Sequence, residues 1–336
     1  MKIELILFLI GFGLSIVLNS LYSKWFLKVK KLDQINHRSS HKVDATKTGG
    51  IVLFSVLFII TLFLYFQNNE LFDFSLLLPL GIIFIIGVYD DFYNADFKLK
   101  FFIQIIVAKL LIDQGFIITN FHGFLGLEQV TYLISQLTTV FVFLILVNAI
   151  NFVDGIDGLA ISLFIMIITV FSVLAEERTE LFYLNYLCIV SLLPLYYFNF
   201  KKNKKVFLGD AGSLFLGVLI AINTFLFLSH ETYQKAYNYN STIMSITILF
   251  YPLADLLRVF IIRIKQKKSP FKPDNQHLHH LLLNVYKNKH LHALIFILIL
   301  NILLIASIIL IELNSKSIYG ILILLSLSIL IILKKK

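Results

Sequence analysis

The sequence contains only one cysteine, Cys188, among its 336 residues. A single cysteine cannot form a disulfide within the chain, and this one lies inside an apolar run. A fold held together by internal disulfides is therefore excluded, and the cysteine content says nothing about the redox environment of the protein.

The sequence also lacks a soluble domain and a long polar linker. Only 15% of its residues are charged, whereas 58% are hydrophobic, and the mean hydropathy is +0.86. Soluble domains rarely exceed about half apolar residues. We therefore expect residues 1–336 to form a single integral membrane domain.

The apolar runs do not alternate with polar residues, which excludes a transmembrane barrel. Eleven of them approach the roughly 20 residues that a transmembrane helix needs. The first begins like a signal peptide, but it is too long and no small-residue cleavage site follows it. We therefore predict an all-α polytopic membrane protein with about eleven transmembrane helices, in the runs 4–22, 49–66, 71–89, 101–118, 133–152, 158–175, 181–199, 211–229, 241–263, 291–312 and 317–333.

Basic residues are nearly missing from one side of this predicted topology. Of the 29 lysines and arginines, 24 lie in alternate loops or in the C-terminal tail, whereas four lie on the opposite side. Basic loops face the cytoplasm. The predicted orientation therefore has the N-terminus outside and the C-terminus in the cytoplasm.

Glutamate is absent from the predicted cytoplasmic side. All eight glutamates fall on the outer side, whereas ten of the twelve aspartates fall on the inner side. Solvation alone would use both acids on both faces. A face that uses only the short carboxylate indicates rigid, close placement, as metal coordination and phosphate chemistry require.

One polar stretch, Asn148-Ala-Ile-Asn-Phe-Val-Asp-Gly-Ile-Asp-Gly158, lies between two apolar runs. Ionisable groups this close to lipid are costly and usually functional. Asp154 and Asp157 would share a face of a helix, and the two glycines would leave space for a ligand. The alternative is a tight polar turn. We take Asn148, Asn151 and the two aspartates as candidate site residues.

A pair of aspartates, Asp90 and Asp91, ends the third run and precedes Lys98. Adjacent like charges at a helix C-terminus repel each other and also meet the negative end of the helix dipole. A cation, or a phosphate with its metal, would relieve this repulsion. A solvated turn is the alternative.

The loop before the second run contains Arg38 and ends in Gly49-Gly50. Backbone amides at a helix start, beside basic side chains, suit an anion. The alternative is a basic loop that only sets the topology.

Asn199 closes the seventh run, and Phe207-Leu-Gly-Asp210 follows a loop that contains four lysines. Asp210 could cap the eighth helix. The flanking glycines instead favour an open site, in which Phe207 offers a ring for a base to stack on.

Three histidines, His277, His279 and His280, lie within four positions of the last large inner loop. No cysteine or glutamate completes a zinc site there. Histidine beside an aspartate-rich face better suits a diphosphate. The alternative is an amphipathic segment that lies on the membrane surface.

All five polar stretches reach the same predicted membrane face. A transporter would need polar groups at the middle of the bilayer, and many transporters show inverted repeats, which this sequence lacks. We therefore expect an interfacial site that takes a soluble anionic substrate from the cytoplasm and a lipid from the bilayer.

Taken together, these motifs resemble those of the polyprenyl-phosphate N-acetylhexosamine-1-phosphate transferases, which are relatives of the phospho-MurNAc-pentapeptide translocase of peptidoglycan synthesis. The resemblance runs from about residue 38 to residue 282. It implies that a UDP-sugar and polyprenyl phosphate react, with Mg²⁺ or Mn²⁺, to give a polyprenyl-diphosphate-sugar and UMP. It also implies the cytoplasmic membrane of a bacterium as the location, and a homodimer is a further expectation.

The resemblance assigns a role to each candidate residue. Asp210 and Asn151 would hold the metal, and Phe207 would contact the uracil. The catalytic groups would be Asp90, Asp91, Asp154 and Asp157. The residues that would bind substrate are Arg38, Gly49, Gly50, Lys98, Asn148, Asn199, Phe207, His277, His279 and His280.

The sequence departs from the family pattern at two places. Asn275-Gln276 stands where an arginine is frequent, and Lys47-Thr48 stands where a Pro-Arg pair is common. Both changes concern contacts to the sugar or diphosphate rather than the metal site.

Other readings stay open at this point. The spaced histidine motif favours the hexosamine branch, with UDP-GlcNAc or a 6-deoxy-hexosamine donor, over the peptidoglycan translocase. A flippase or transporter of lipid-linked sugars is the alternative from another class. The glycan made afterwards could be an O-antigen, a teichoic acid or a capsule.

Overall fold

A computed structural model describes residues 2–30, 32, 45–69, 71–175, 178–229, 240–269, 276–287 and 289–312. Arg38, Asn275 and the apolar run 317–333 lie outside the described residues.

Helices form nearly all of the described structure. They are α1 (Lys2–Lys28), α2 (Gly49–Phe66), α3 (Leu77–Tyr93), α4 (Phe97–Asp113), α5 (Tyr132–Val153), α6 (Leu159–Leu174), α7 (Phe182–Asn199), α8 (Gly209–Ser229), α9 (Ser241–Ile248), α10 (Phe250–Lys265), α11 (Leu278–Val285) and α12 (His290–Glu312). Single 3₁₀ turns span Phe74–Leu76 and Phe124–Gly126. Two short parallel strands, β1 (Ala45–Thr46) and β2 (Lys205–Val206), pair with each other.

The predicted all-α polytopic class is confirmed. By length and composition, six described helices could cross a membrane, or seven if α9 and α10 form one bent span. Helix α6 is apolar but only 16 residues long. The expected number of eleven spans therefore stays a prediction.

Helix α8 is the centre of the protein, and its membrane-length segment is entirely buried. Its side chains are apolar around the whole circumference, as expected for a helix enclosed by other helices. Two glycines let neighbouring helices reach its first turn. A Cβ on Gly50 of α2 would overlap the backbone nitrogen of Gly212, and a Cβ on Gly87 of α3 would lie 2.5 Å from the Cα of Ala211. Helices α2 and α3 thus meet α8 backbone to backbone.

The bend between α9 and α10 is 73°. Its cause is Pro252, which has no N–H to donate to the carbonyl of Ile248 in the preceding turn. On α12, the buried Asn301 accepts a hydrogen bond from the amide of Tyr251 at 3.3 Å. A neighbouring helix thus compensates part of the broken backbone pattern.

Candidate active site

The first turn of α8 is capped by Asp91, which lies at the end of α3. Its Oδ1 accepts from the amide of Asp210 and its Oδ2 from the amide of Ala211, both at 2.9 Å. The Nζ atom of Lys47 lies 3.6 Å from Oδ1, and the side chain of Asp91 is only 1% exposed. A carboxylate at a helix N-terminus is stabilised by the free amides and the helix dipole. The capping group is therefore Asp91, and the alternative that Asp210 itself caps α8 is wrong.

This capping leaves the carboxyl group of Asp210 for other partners. Its Oδ1 accepts from Nδ2 of Asn151 at 2.6 Å, and the same nitrogen lies 2.8 Å from Oγ of Ser213. The carboxyl groups of Asp210 and Asp90 also interact with each other. Two such groups in contact must share a proton or a cation. The sequence-predicted pair of Asp210 and Asn151 is thus brought together.

Asp90 lies on the buried side of α3 and contacts a lysine. Its Oδ2 accepts from Nζ of Lys100 at 2.6 Å, and its Oδ1 from the amide of Ala95 at 2.8 Å. Lys98, the predicted lysine, is exposed on another face of α4. Lys100 is four residues before the buried Gln104 and so shares its face of α4.

Asn148 forms a pair with Gln104. The Nδ2 atom of Asn148 donates to Oε1 of Gln104 at 2.7 Å and to the carbonyl of Leu144 at 2.8 Å. The structure therefore gives Asn148 a role in joining α5 to α4. Gln104 has no exposed surface and belongs to none of the sequence motifs.

Asp154 follows the last residue of α5 and keeps part of its surface exposed, although protein surrounds it. Burial and the nearby charges of Asp210 and Asp91 raise the pKa of its carboxyl group well above the usual range. Asp154 thus belongs electrostatically to the same cluster. We call Asp90, Asp91, Asp154 and Asp210 the aspartate cluster.

The side chain of Asp157 pairs with two basic residues. It is only 7% exposed and forms an ion pair with Lys205, and its Oδ2 lies 3.2 Å from Nδ1 of His290. Helix α5 ends at Val153, so the expectation that Asp154 and Asp157 share a helix face is wrong. The contacts of Asp157 tie this turn to β2 and to the start of α12. No sequence motif pointed to His290.

The space beside the glycines of this turn is filled by protein side chains. A Cβ on Gly155 would overlap Nε2 of His279, and a Cβ on Gly158 would lie 2.8 Å from the ring of Phe200. Gly158 also has a φ of +76°, which favours glycine. The expectation that these glycines leave space for a ligand is therefore wrong, because side chains from later in the chain occupy it.

The start of α2 has no free amide at its two glycines. The amide of Gly49 donates to the carbonyl of Phe207 at 2.9 Å, and that of Gly50 to the carbonyl of Leu208 at 2.8 Å. An anion site on these two amides is therefore contradicted. The buried Asn199 holds the same loop, because its Nδ2 donates to the carbonyl of Val206 at 2.9 Å. Phe207 remains partly exposed.

The three histidines differ in their environment. His277 is 5% exposed and its Nδ1 lies 2.9 Å from Oδ2 of Asp255, whereas His280 keeps part of its surface exposed. His279 has no exposed surface, and its ring nitrogens have no hydrogen-bond partner among the described residues. Burial and the neighbouring histidines hold the pKa of His279 well below its ordinary value. His279 is thus a neutral ring packed against Gly155.

No preformed metal cage occurs among the described residues, since no group of three or more His, Cys, Asp or Glu side chains is arranged to hold an ion. The aspartate cluster nevertheless has the chemistry that Mg²⁺ prefers. This ion uses oxygen ligands and usually takes one or two carboxylates together with substrate phosphates and water.

Comparison with known proteins gives two findings. A model of glycosyl transferase family 4 matches residues 73–228. A protein of Bacillus subtilis, named probable undecaprenyl-phosphate N-acetylglucosaminyl 1-phosphate transferase, is 28% identical over 82% of this chain and 76% of its own. Proteins of Yersinia pestis and Escherichia coli, named undecaprenyl-phosphate alpha-N-acetylglucosaminyl 1-phosphate transferase, are each 27% identical over 77% of this chain, and over 71% and 70% of their own chains.

Proposed function

Because the chain belongs to glycosyl transferase family 4, we propose that it transfers N-acetylhexosamine-1-phosphate from a UDP-sugar to undecaprenyl phosphate and releases UMP. The observation that supports this most is the aspartate cluster at the first turn of α8. It gathers four carboxyl groups where two lysines, Lys47 and Lys100, approach them. A site for two phosphorylated substrates needs such a mixture of acids and cations.

The reaction forms one bond and breaks one. An oxygen of the lipid phosphate attacks the β-phosphorus of the donor, and the bond from that phosphorus to the oxygen that bridges to the UMP moiety breaks. We assign to Asp90 the removal of the proton from the lipid phosphate. We assign binding of the phosphate oxygens to Lys100, which contacts Asp90. Asp91 aligns α3 with α8.

The residues around Asp210 suit a divalent cation. The carboxylate of Asp210 and the amide oxygen of Asn151 would hold Mg²⁺, with Asp154 near them. A bound ion would supply positive charge that offsets the charge of the donor diphosphate. Asn151 directs its amide nitrogen to Asp210, and this fixes the position of both groups.

Donor recognition involves the loop before α8 and residues 277–280, which we call the histidine segment. We assign uracil stacking to Phe207 and contacts with the diphosphate or sugar to His277 and His280. His279 supports this segment from inside. Asp157 holds the turn after α5 through Lys205 and His290.

We further propose eleven transmembrane helices with the site on the cytoplasmic face of a bacterial inner membrane. Single cysteines in place of Lys42 and Lys268 should resist impermeant thiol reagents in intact cells. Those in place of Glu177 and Lys235 should react. The native Cys188 is buried and provides the background. The opposite labelling pattern would overturn the orientation.

The names of the relatives favour UDP-GlcNAc as the donor. Purified protein with undecaprenyl phosphate should release UMP from UDP-GlcNAc, or from a 6-deoxy-hexosamine donor, at least about tenfold faster than from UDP-MurNAc-pentapeptide, which corresponds to about 1.4 kcal/mol of discrimination. Faster release from the pentapeptide donor would identify a peptidoglycan translocase. A flippase would release no UMP from any donor.

A further inference from the structure

Asp255 is a buried carboxylate in α10 that belongs to none of the motifs discussed above. It has no exposed surface. Its Oδ1 accepts from the amide of Leu278 at 2.8 Å, and its Oδ2 lies 2.9 Å from Nδ1 of His277. Both carboxylate oxygens are thus directed at the start of α11, where the histidines lie.

Further polar groups approach Asp255 from two sides. On α10, Nη1 of Arg258 lies 3.8 Å from Oδ1 and also donates to the carbonyl of Gln276 at 2.6 Å. From the other side, Nδ1 of His279 lies 3.8 Å from Oδ2, and Tyr251 interacts electrostatically with the carboxylate. Asp255 is thus enclosed between Arg258 of its own helix and the start of α11.

An ionised carboxylate can only accept hydrogen bonds. With Asp255 as the acceptor, Nδ1 of His277 would carry the proton in this contact, and Nε2 would be the ring nitrogen left for a substrate. At the same time Asp255 caps the first turn of α11 through the amide of Leu278. One side chain thus sets both the tautomer of His277 and the start of the helix that carries His279 and His280.

This histidine segment contacts the turn after α5. The ring of His277 lies 5.5 Å from the ring of Phe152, between their centroids, and the ring of His279 occupies the space beside Gly155. Phe152 and Gly155 flank the stretch that contains Asp154. Asp255 holds the histidine segment, and that segment packs against the turn that contains Asp154.

We propose that Asp255 is a positioning residue of the transferase, which fixes His277 with Nδ1 protonated and holds α11 so that Nε2 of His277 is presented to the UDP-sugar. The proposal rests on the proposed function. It adds an Asp–His pair that supports donor binding from behind the histidine segment.

The test uses the full-length protein in detergent with four variants: Asp255→Asn, His277→Ala, the double variant and Asp113→Asn. Asp113→Asn is the control, because Asp113 is an exposed aspartate that pairs with Lys109. The Asp255→Asn change keeps the size of the side chain and one acceptor oxygen but removes the charge.

Thermal unfolding checks that each variant is folded, and kcat and KM are measured for the UDP-sugar. Selective ¹⁵N labelling of histidine reads the tautomer, with His277→Ala assigning the signal.

We expect Asp255→Asn to lower kcat/KM by about tenfold to a hundredfold, the usual effect of removing a group that orients a functional histidine. In the His277→Ala background the same change should cost less than about twofold, because the two residues act as one unit. The His277 signal should show Nδ1 protonated in the wild type and lose this state in Asp255→Asn. Asp113→Asn should match the wild type in all these measurements.

Two results would overturn the proposal. One is an equal loss from Asp255→Asn with and without His277, which would show a general structural role. The other is an unchanged His277 tautomer in Asp255→Asn. If the wild type releases no UMP from any donor, the proposed function fails instead, and the tautomer measurement still decides whether Asp255 fixes His277.

Discussion

Asp210→Asn should lower the rate of UMP release by at least about a hundredfold, the scale of losing one charge contact in a transition state. The carboxylate of Asp210 is the proposed ligand of the metal that meets the donor diphosphate. Asparagine has the same size, and its Oδ1 can still accept from Nδ2 of Asn151. Its backbone amide can still donate to Asp91, so the cap of α8 persists. Thermal stability should therefore change little.

The measurement is the initial rate of UMP release over a range of Mg²⁺ concentrations, together with thermal unfolding of each variant. Asp113→Asn is again the matched control, because it removes an exposed carboxylate of the same type. Near-normal, Mg²⁺-dependent turnover by Asp210→Asn would contradict the assignment. The metal would then have to be sought around Asp90 and Asp154.

Gly50→Ala should prevent α2 from packing on α8 and lower the free energy of unfolding by at least about 3 kcal/mol, the upper end of the usual cost of overpacking. The added methyl group would overlap the backbone nitrogen of Gly212 and lie 2.6 Å from its Cα. Both are backbone atoms of the central helix, so no rotamer change can relieve the overlap. The contact lies at the first turn of α8, and activity should be lost as well.

The readout is the yield of monodisperse protein and its thermal unfolding in detergent. Gly13→Ala is the matched control, because a Cβ at Gly13 meets nothing within 4 Å. An alanine there should be neutral or stabilising, since glycine within a helix costs roughly 0.5–1 kcal/mol relative to alanine. Equal stability of Gly50→Ala and the wild type would show that the described contact between α2 and α8 is wrong.

Much of the site could be predicted from the sequence because burying charge is costly. Asp90 and Asp91 repel each other at a helix end, which favoured the presence of partners, and the structure supplies Lys100 and the amides of α8. The aspartate-only face likewise predicted close placement of carboxyl groups, and Asp154 interacts with Asp210 and Asp91. The all-α class followed from the apolar runs.

The partner of each group could not be predicted in the same way, because tertiary contacts decide it. The sequence does not show that α5 ends before Asp154, or that Asp157 pairs with Lys205 and His290. It does not show that the amides of Gly49 and Gly50 donate hydrogen bonds to the carbonyls of Phe207 and Leu208. Asp255 belongs to no recognisable sequence motif. Its contact with His277 depends on the bend at Pro252 and on the position of the start of α11.

The most direct test of the central claim follows the β-phosphate of the donor. Purified protein is incubated with UDP-GlcNAc labelled with ³²P at the β-phosphate, undecaprenyl phosphate and Mg²⁺, and the lipid phase is separated from the aqueous phase. Transfer of the sugar-1-phosphate predicts that the label enters the lipid and that unlabelled UMP appears in equal amount. Label recovered as UDP would instead show transfer of the sugar alone. If the label stays in the intact UDP-sugar with every hexosamine donor tried, the proposed transfer of a sugar-1-phosphate is contradicted.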